Sequence, residues 1–105
     1  MTETYPRIAD LTTHELERAV KLVARVHRAG NRGSAAFELC GPHGRILGRM
    51  VVDHPGDLVA RAESVLATTP LELDGQLRFD PCVQAFTAPV AVRRPQAARA
   101  HVAAR

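Results

Sequence analysis

The chain has no tryptophan, one tyrosine and three phenylalanines in 105 residues, so a nucleic-acid surface built on stacked aromatic rings is poorly provisioned. Cysteine is scarce as well. Cys40 and Cys82 are the only two, and they read as reduced thiols rather than as a disulfide framework. No apolar run approaches the roughly 20 residues that span a bilayer, and the N-terminal MTETYPRIAD lacks the basic and apolar regions of a signal peptide. Those absences predict a cytoplasmic protein with no membrane partner. Acidic residues are missing from the C-terminal end. Residues 1–80 carry ten Arg/Lys against eleven Asp/Glu, whereas residues 81–105 carry four arginines and no acid, so the net charge of +3 belongs to the tail.

At this length one domain is expected, able to bury about 60–65% of its unfolded surface without metal or disulfide support. The clearest local signal is TTHE. Thr12 and Glu15 form a capping box, and Leu11 and Leu16 supply a hydrophobic staple. Leu16, Ala19, Val20, Val23, Val26 and His27 then recur at helical spacing and Gly30 is a suitable terminator, which predicts a helix over about 13–29. Its outer face would carry Glu17, Arg18, Lys21, Arg25 and Arg28, with Arg32 just beyond.

In SAAFELCGPHGRILGRMVVD, the turn residues GPHG divide two short runs of alternating polarity, which predicts a β-hairpin. With Cys40 opposite Arg45, Phe37, Leu39, Ile46, Gly48, Met50 and Val52 would share an apolar face. Glu38, Cys40, Arg45, Leu47, Arg49 and Val51 would share the wetter one. Asp53 and Pro55 restart a helix with Leu58, Val59, Ala62, Val65 and Leu66 on one side. LELDGQLRF then predicts a strand or a hairpin with a three-residue loop pairing Leu73 with Leu77 and Leu71 with Phe79. Pro89 places the end of the last extended segment at a sheet edge.

The predicted fold is a single α+β domain with two helices packed on one face of a three- to four-stranded, mainly antiparallel sheet, in the order helix, hairpin, helix, strands. Residues 1–10 are an N-terminal lead, 11–92 the domain, and 93–105 a basic, disordered tail. The expected core is Leu16, Val20, Val23, Phe37, Leu39, Ile46, Met50, Leu58, Val65, Leu66, Leu73, Leu77 and Phe79.

Chemistry is thinly signalled. A zinc site needs three or four N/S ligands and CGPH offers two, Cys40 and His43, with no second pair at ligand spacing. Arg45 could activate the Cys40 thiol, but a hairpin tip gives neither a pocket nor an oxyanion hole. The GNRG stretch at 30–33 fits a helix stop and turn as well as a phosphate-contacting loop. No P-loop, dinucleotide fingerprint, nucleophile elbow or HExxH motif occurs, so no catalytic, cofactor or metal residues are assigned and no cofactor is expected. The reading that follows is a non-enzymatic binding or regulatory module acting through protein–protein contacts, with self-association as a homodimer through a strand edge or the Leu47 and Val51 face. The alternative is a nucleic-acid-associated protein using Arg18, Lys21, Arg25, Arg28 and Arg32 with the tail arginines Arg93, Arg94, Arg99 and Arg105. A third reading is an enzyme with a Cys40 nucleophile.

Overall fold

The capping box closes a helix that lasts one turn. Thr12 Oγ1 accepts from the Glu15 backbone N–H at 3.2 Å, and the Glu15 carboxylate accepts from the Thr12 N–H at 3.0 Å and its hydroxyl at 2.9 Å. The hydrogen bonds from Thr12, the backbone one foremost, hold the Glu15 carboxyl below its ordinary value. Beyond α1 (Thr13–Leu16), the expected long helix is replaced by strand β1 (Lys21–Ala29) in the computed structural model, which describes residues 4–29 and 32–93. The reason lies in the ambiguity of the pattern. Val20, Val23 and Val26 sit at helical spacing, yet valine is stiff in a helix and suits a pleated surface. In the strand, Leu22 and Ala24 are buried on one face and Val23 on the other. Val23, apolar on the otherwise polar face of Lys21, Arg25 and His27, interrupts the period of two that would betray a strand.

The fold prediction is overturned accordingly. Among the described residues, one helix longer than a turn, α2 (Leu58–Leu66), accompanies a six-stranded antiparallel sheet in the order β3-β2-β1-β6-β4, with β5 also paired to β6. The remaining strands are β2 (Arg32–Cys40), β3 (Ile46–Asp53), β4 (Leu71–Leu73), β5 (Arg78–Asp80) and β6 (Ala85–Val92). The first hairpin pair aligns Leu22 with Leu39 and Ala24 with Phe37, and β6 closes on the far side of β1 with Leu22 opposite Ala88.

The GPHG turn is present but its register differs. Pro42–Gly44 make a 3-10 turn with His43 at φ 64° and Gly44 at φ 76°, and the Gly41 N–H donates to the Arg45 carbonyl at 2.7 Å. Cys40 lies opposite Ile46 rather than Arg45, while Leu39 pairs with Gly48, leaving Leu47 as the extra residue of a β-bulge. A bulge reverses the parity of what precedes it. Leu47 is thereby buried in the main core and Ile46 joins Cys40 on the other face, so the expected Leu47 and Val51 face does not form.

The two edges of β6 also differ from expectation. β4 and β5 do not pair with each other. Both lie along β6, Leu71 opposite Val92 and Phe79 opposite Phe86, as one outer strand interrupted at 74–77. Pro89 is therefore in an interior strand, where the Asp74 N–H reaches its carbonyl at 2.8 Å. The interruption is where the proline ring stands. A Cβ on Gly75 would lie 2.9 Å from Pro89 Cγ and 3.2 Å from Cδ, and a ring cannot swing aside. Gly75→Ala is expected to cost about 1–3 kcal/mol, and a urea midpoint unchanged from the wild type would refute the close packing.

The main core lies on one sheet face beneath α2. Asp57 caps that helix by accepting from the Val59 and Ala60 N–H groups at 3.0 and 3.3 Å. Ala62, Val65 and Leu66 pack down onto Leu22, Phe37, Leu39 and Leu71. Among the expected core residues, Val20, Met50 and Phe79 are instead exposed, whereas Ile8, Leu11, Leu22 and Leu71 are buried without having been expected. Ile8 shows that the N-terminal lead is part of the core. The Arg49 N–H donates to the Pro6 carbonyl, and Leu11 fills the space over Gly48. None of the described helices is long and apolar enough to cross a membrane.

Candidate functional site

With α2 on one side, the opposite face of the sheet carries no helix among the described residues. Strand register places Lys21, Arg25 and His27 from β1 on this face with Glu38 and Cys40 from β2. Arg49, Val51 and Asp53 from β3 join them, and Arg78 and Asp80 from β5 complete the set. At its centre is Glu38, only 10% exposed at the side chain, beneath two half-exposed arginines. Arg25 Nε donates to Glu38 Oε1 at 3.3 Å, and Arg49 Nε stands 3.7 Å from Oε2. Arg25 also donates to the Val83 carbonyl at 2.9 Å, tying β1 to the turn before β6. A carboxylate this buried needs both cations, and Arg25 stands directly opposite the buried Ala36.

The basic stripe expected on a helix does not exist, because the helix does not. Arg18 follows α1, Lys21 sits opposite Cys40, and Arg25 is held by Glu38. Arg28 and Arg32 pair with Gly33 and Ala29 at the far end of the β1–β2 ladder. Arg93 is structural, since its guanidinium donates to the Thr69 carbonyl at 3.3 Å and the Leu71 carbonyl at 2.8 Å and so clamps the start of β4. Arg94, Arg99 and Arg105 lie outside the described residues, as do Gly30 and Asn31 of the glycine-flanked loop.

Thiol chemistry is also relocated. Cys40 is 3% exposed and its Sγ lies 3.8 Å from the Glu38 carbonyl oxygen, to which the S–H donates. Burial, and then the Glu38 charge, push its thiol up from the ordinary value, so it is a poor nucleophile. His43 is exposed on the turn and the pair in CGPH does not converge. Among the described residues no three of His, Cys, Asp and Glu gather as a metal group. Cys82 is the exposed thiol. It lines a shallow cleft with Arg25, His27 and Val83, a neighbourhood that sequence spacing could not reveal because the residues come from β1 and the β5–β6 turn.

Two outcomes follow for the cysteines. In the folded protein a thiol reagent should titrate Cys82 promptly and Cys40 only on unfolding, and a Cys82→Ser variant that still labels at the wild-type rate would contradict the burial. Because the folded-state pKa of Cys40 is raised, its contribution is fully present below the unfolded thiol value. It is lost as pH climbs from there toward the folded value. Wild type should lose stability relative to Cys40→Ala in that alkaline window alone.

The helix-free face is a near-balanced mosaic, with Lys21, Arg25, Arg49 and Arg78 set against Glu38, Asp53 and Asp80. Such a pattern gives no single-sign field to attract phosphate. The apolar side chains left exposed on the sheet include Met50 and Val51 of β3, Phe79 of β5 and Val92 of β6. In comparisons with protein-family models, curated proteins and solved structures, nothing matches this chain.

Proposed function

We propose that this protein is a non-enzymatic binding module that acts through contacts with another protein, and that outer strand β3 is the surface it offers. The observation that carries this reading is the pair Met50 and Val51. They are 42% and 55% exposed on opposite faces of a terminal strand. Beyond the single bridge between Arg7 and Arg49, no described strand pairs with the outer side of β3. An extended partner segment added there would set its alternate side chains beside Met50 on one face and Val51 on the other. The competing reading, nucleic-acid association, rests on the four arginines of residues 81–105. Its cost is that Arg25, Arg49 and Arg93 are already engaged.

The two readings separate in one experiment. Tagged full-length protein is purified from its own cells with nuclease, alongside Val51→Glu and the helix-surface control Val59→Glu. The binding-module reading expects a stoichiometric protein partner that is retained by Val59→Glu and lost by Val51→Glu. A partner held equally by both variants would overturn the assignment to β3. Binding to DNA or RNA at about 50 mM salt that falls steeply as salt rises, by close to one log unit per log unit of salt for each phosphate neutralised, would favour the nucleic-acid reading instead.

A further inference from the structure

The opposite outer strand carries a different signature. β5 is Arg78-Phe79-Asp80. It pairs with β6 on one side, and no described strand lies on the other. Phe79 is 55% exposed, its ring standing edge-on to Phe86 with 5.4 Å between centroids. Among the described residues Arg78 donates to the Gln76 side-chain oxygen at 3.4 Å and forms no salt bridge, and Asp80 Oδ1 accepts from the Cys82 N–H at 2.9 Å.

We infer that β5 is a homodimerisation edge, joining two copies antiparallel about a two-fold axis through Phe79. In such a pairing, residues at equal distance on either side of the axis face each other and share a sheet face. Phe79 meets Phe79 of the second copy on the helix-bearing face, extending the Phe79–Phe86 contact. On the other face Arg78 meets Asp80 of the second copy, and Asp80 meets its Arg78. In this register the trio is self-complementary in charge. β3 has a comparable spacing about Val51, with Arg49 and Asp53 as the ends. There, however, a symmetric pair about Val51 would need the edge at Arg49, which is bridged to Arg7 and held by Glu38, whereas a short partner segment beside Met50 and Val51 stops before it. The inference is independent of the role given to β3.

A strand pair this short belongs to the small, weak class of interfaces, below about 1,200 Å², so association is sought at high concentration. Sedimentation equilibrium of the full chain up to about 1 mM should show a reversible monomer–dimer equilibrium. Arg78→Asp confronts two aspartates with two, Asp80→Arg confronts two arginines with two, and each should weaken self-association by at least about tenfold. Mixed together, the two variants become complementary and should recover a heterodimer of wild-type affinity. Phe79→Glu, which leaves the Asp80 turn intact, places two carboxylates on the axis and should abolish association while circular dichroism stays native. A wild type that stays monomeric throughout, an Arg78→Asp variant that dimerises as well as wild type, or no recovery on mixing would each overturn the inference.

Discussion

Phe37→Ala is expected to lower the unfolding free energy by about 3–5 kcal/mol, a large share of the roughly 5–15 kcal/mol that holds a domain of this size folded. Phe37 is fully buried at the crossing of three strands, between Ala24 of β1 and Met50 of β3, with α2 above it. Ala24 on one side is too small to fill the space, and Met50 on the other would have to leave its place on the outer strand to do so. Thermal unfolding should shift down by about 10–20 °C. Phe79→Ala is the matched control: the same side chain is removed from the same sheet face, but from solvent-exposed β5, at a cost of about 1 kcal/mol. Equal losses for the two variants would mean that the core is not centred on β2.

A comparable loss is expected when a cation replaces Glu38. Glu38→Lys sets a third positive group between Arg25 and Arg49 where the side chain has almost no access to water, and about 3–5 kcal/mol should be lost. Glu38→Gln keeps the shape and can still accept from one guanidinium. Its cost should be about 1–2 kcal/mol, held down because both arginines are nearly half exposed and their pairing is screened. Urea unfolding of the two variants would show the difference. If lysine were tolerated as well as glutamine, Glu38 would be a surface charge rather than the anchor of the helix-free face.

The anchor was partly legible in the sequence. Alternation alone placed Glu38 and Arg49 on a common face of a β2–β3 hairpin, and their direct pairing bears that out. Arg25 could not be added, since the helical reading of residues 13–29 sent it to a different surface. The same misreading created the basic stripe. Cys40 was assigned to the wetter face by parity, and it does lie on that face. Yet the face is shielded there by the neighbouring Ile46 and Val23, which a two-strand argument does not contain. Cys82, the thiol that reagents can reach, had no local pattern to distinguish it.

Local chemistry determined what local chemistry can. The capping box at Thr12, the turn at Pro42–Gly44, the second helix, read from Asp53 and Pro55 but capped four residues later at Asp57, and the apolar row Phe37, Leu39 and Met50 were all fixed by residues a few positions apart. How far the first helix ran, where the bulge fell, and which strand lay in the middle were decided only by tertiary structure. The run from Val20 to Val26 suits a helix stripe and a central strand equally. The balance is tipped by β2 on one side and β6, more than sixty residues away, on the other, which together satisfy the β1 backbone, and by the core that covers Leu22 and Ala24.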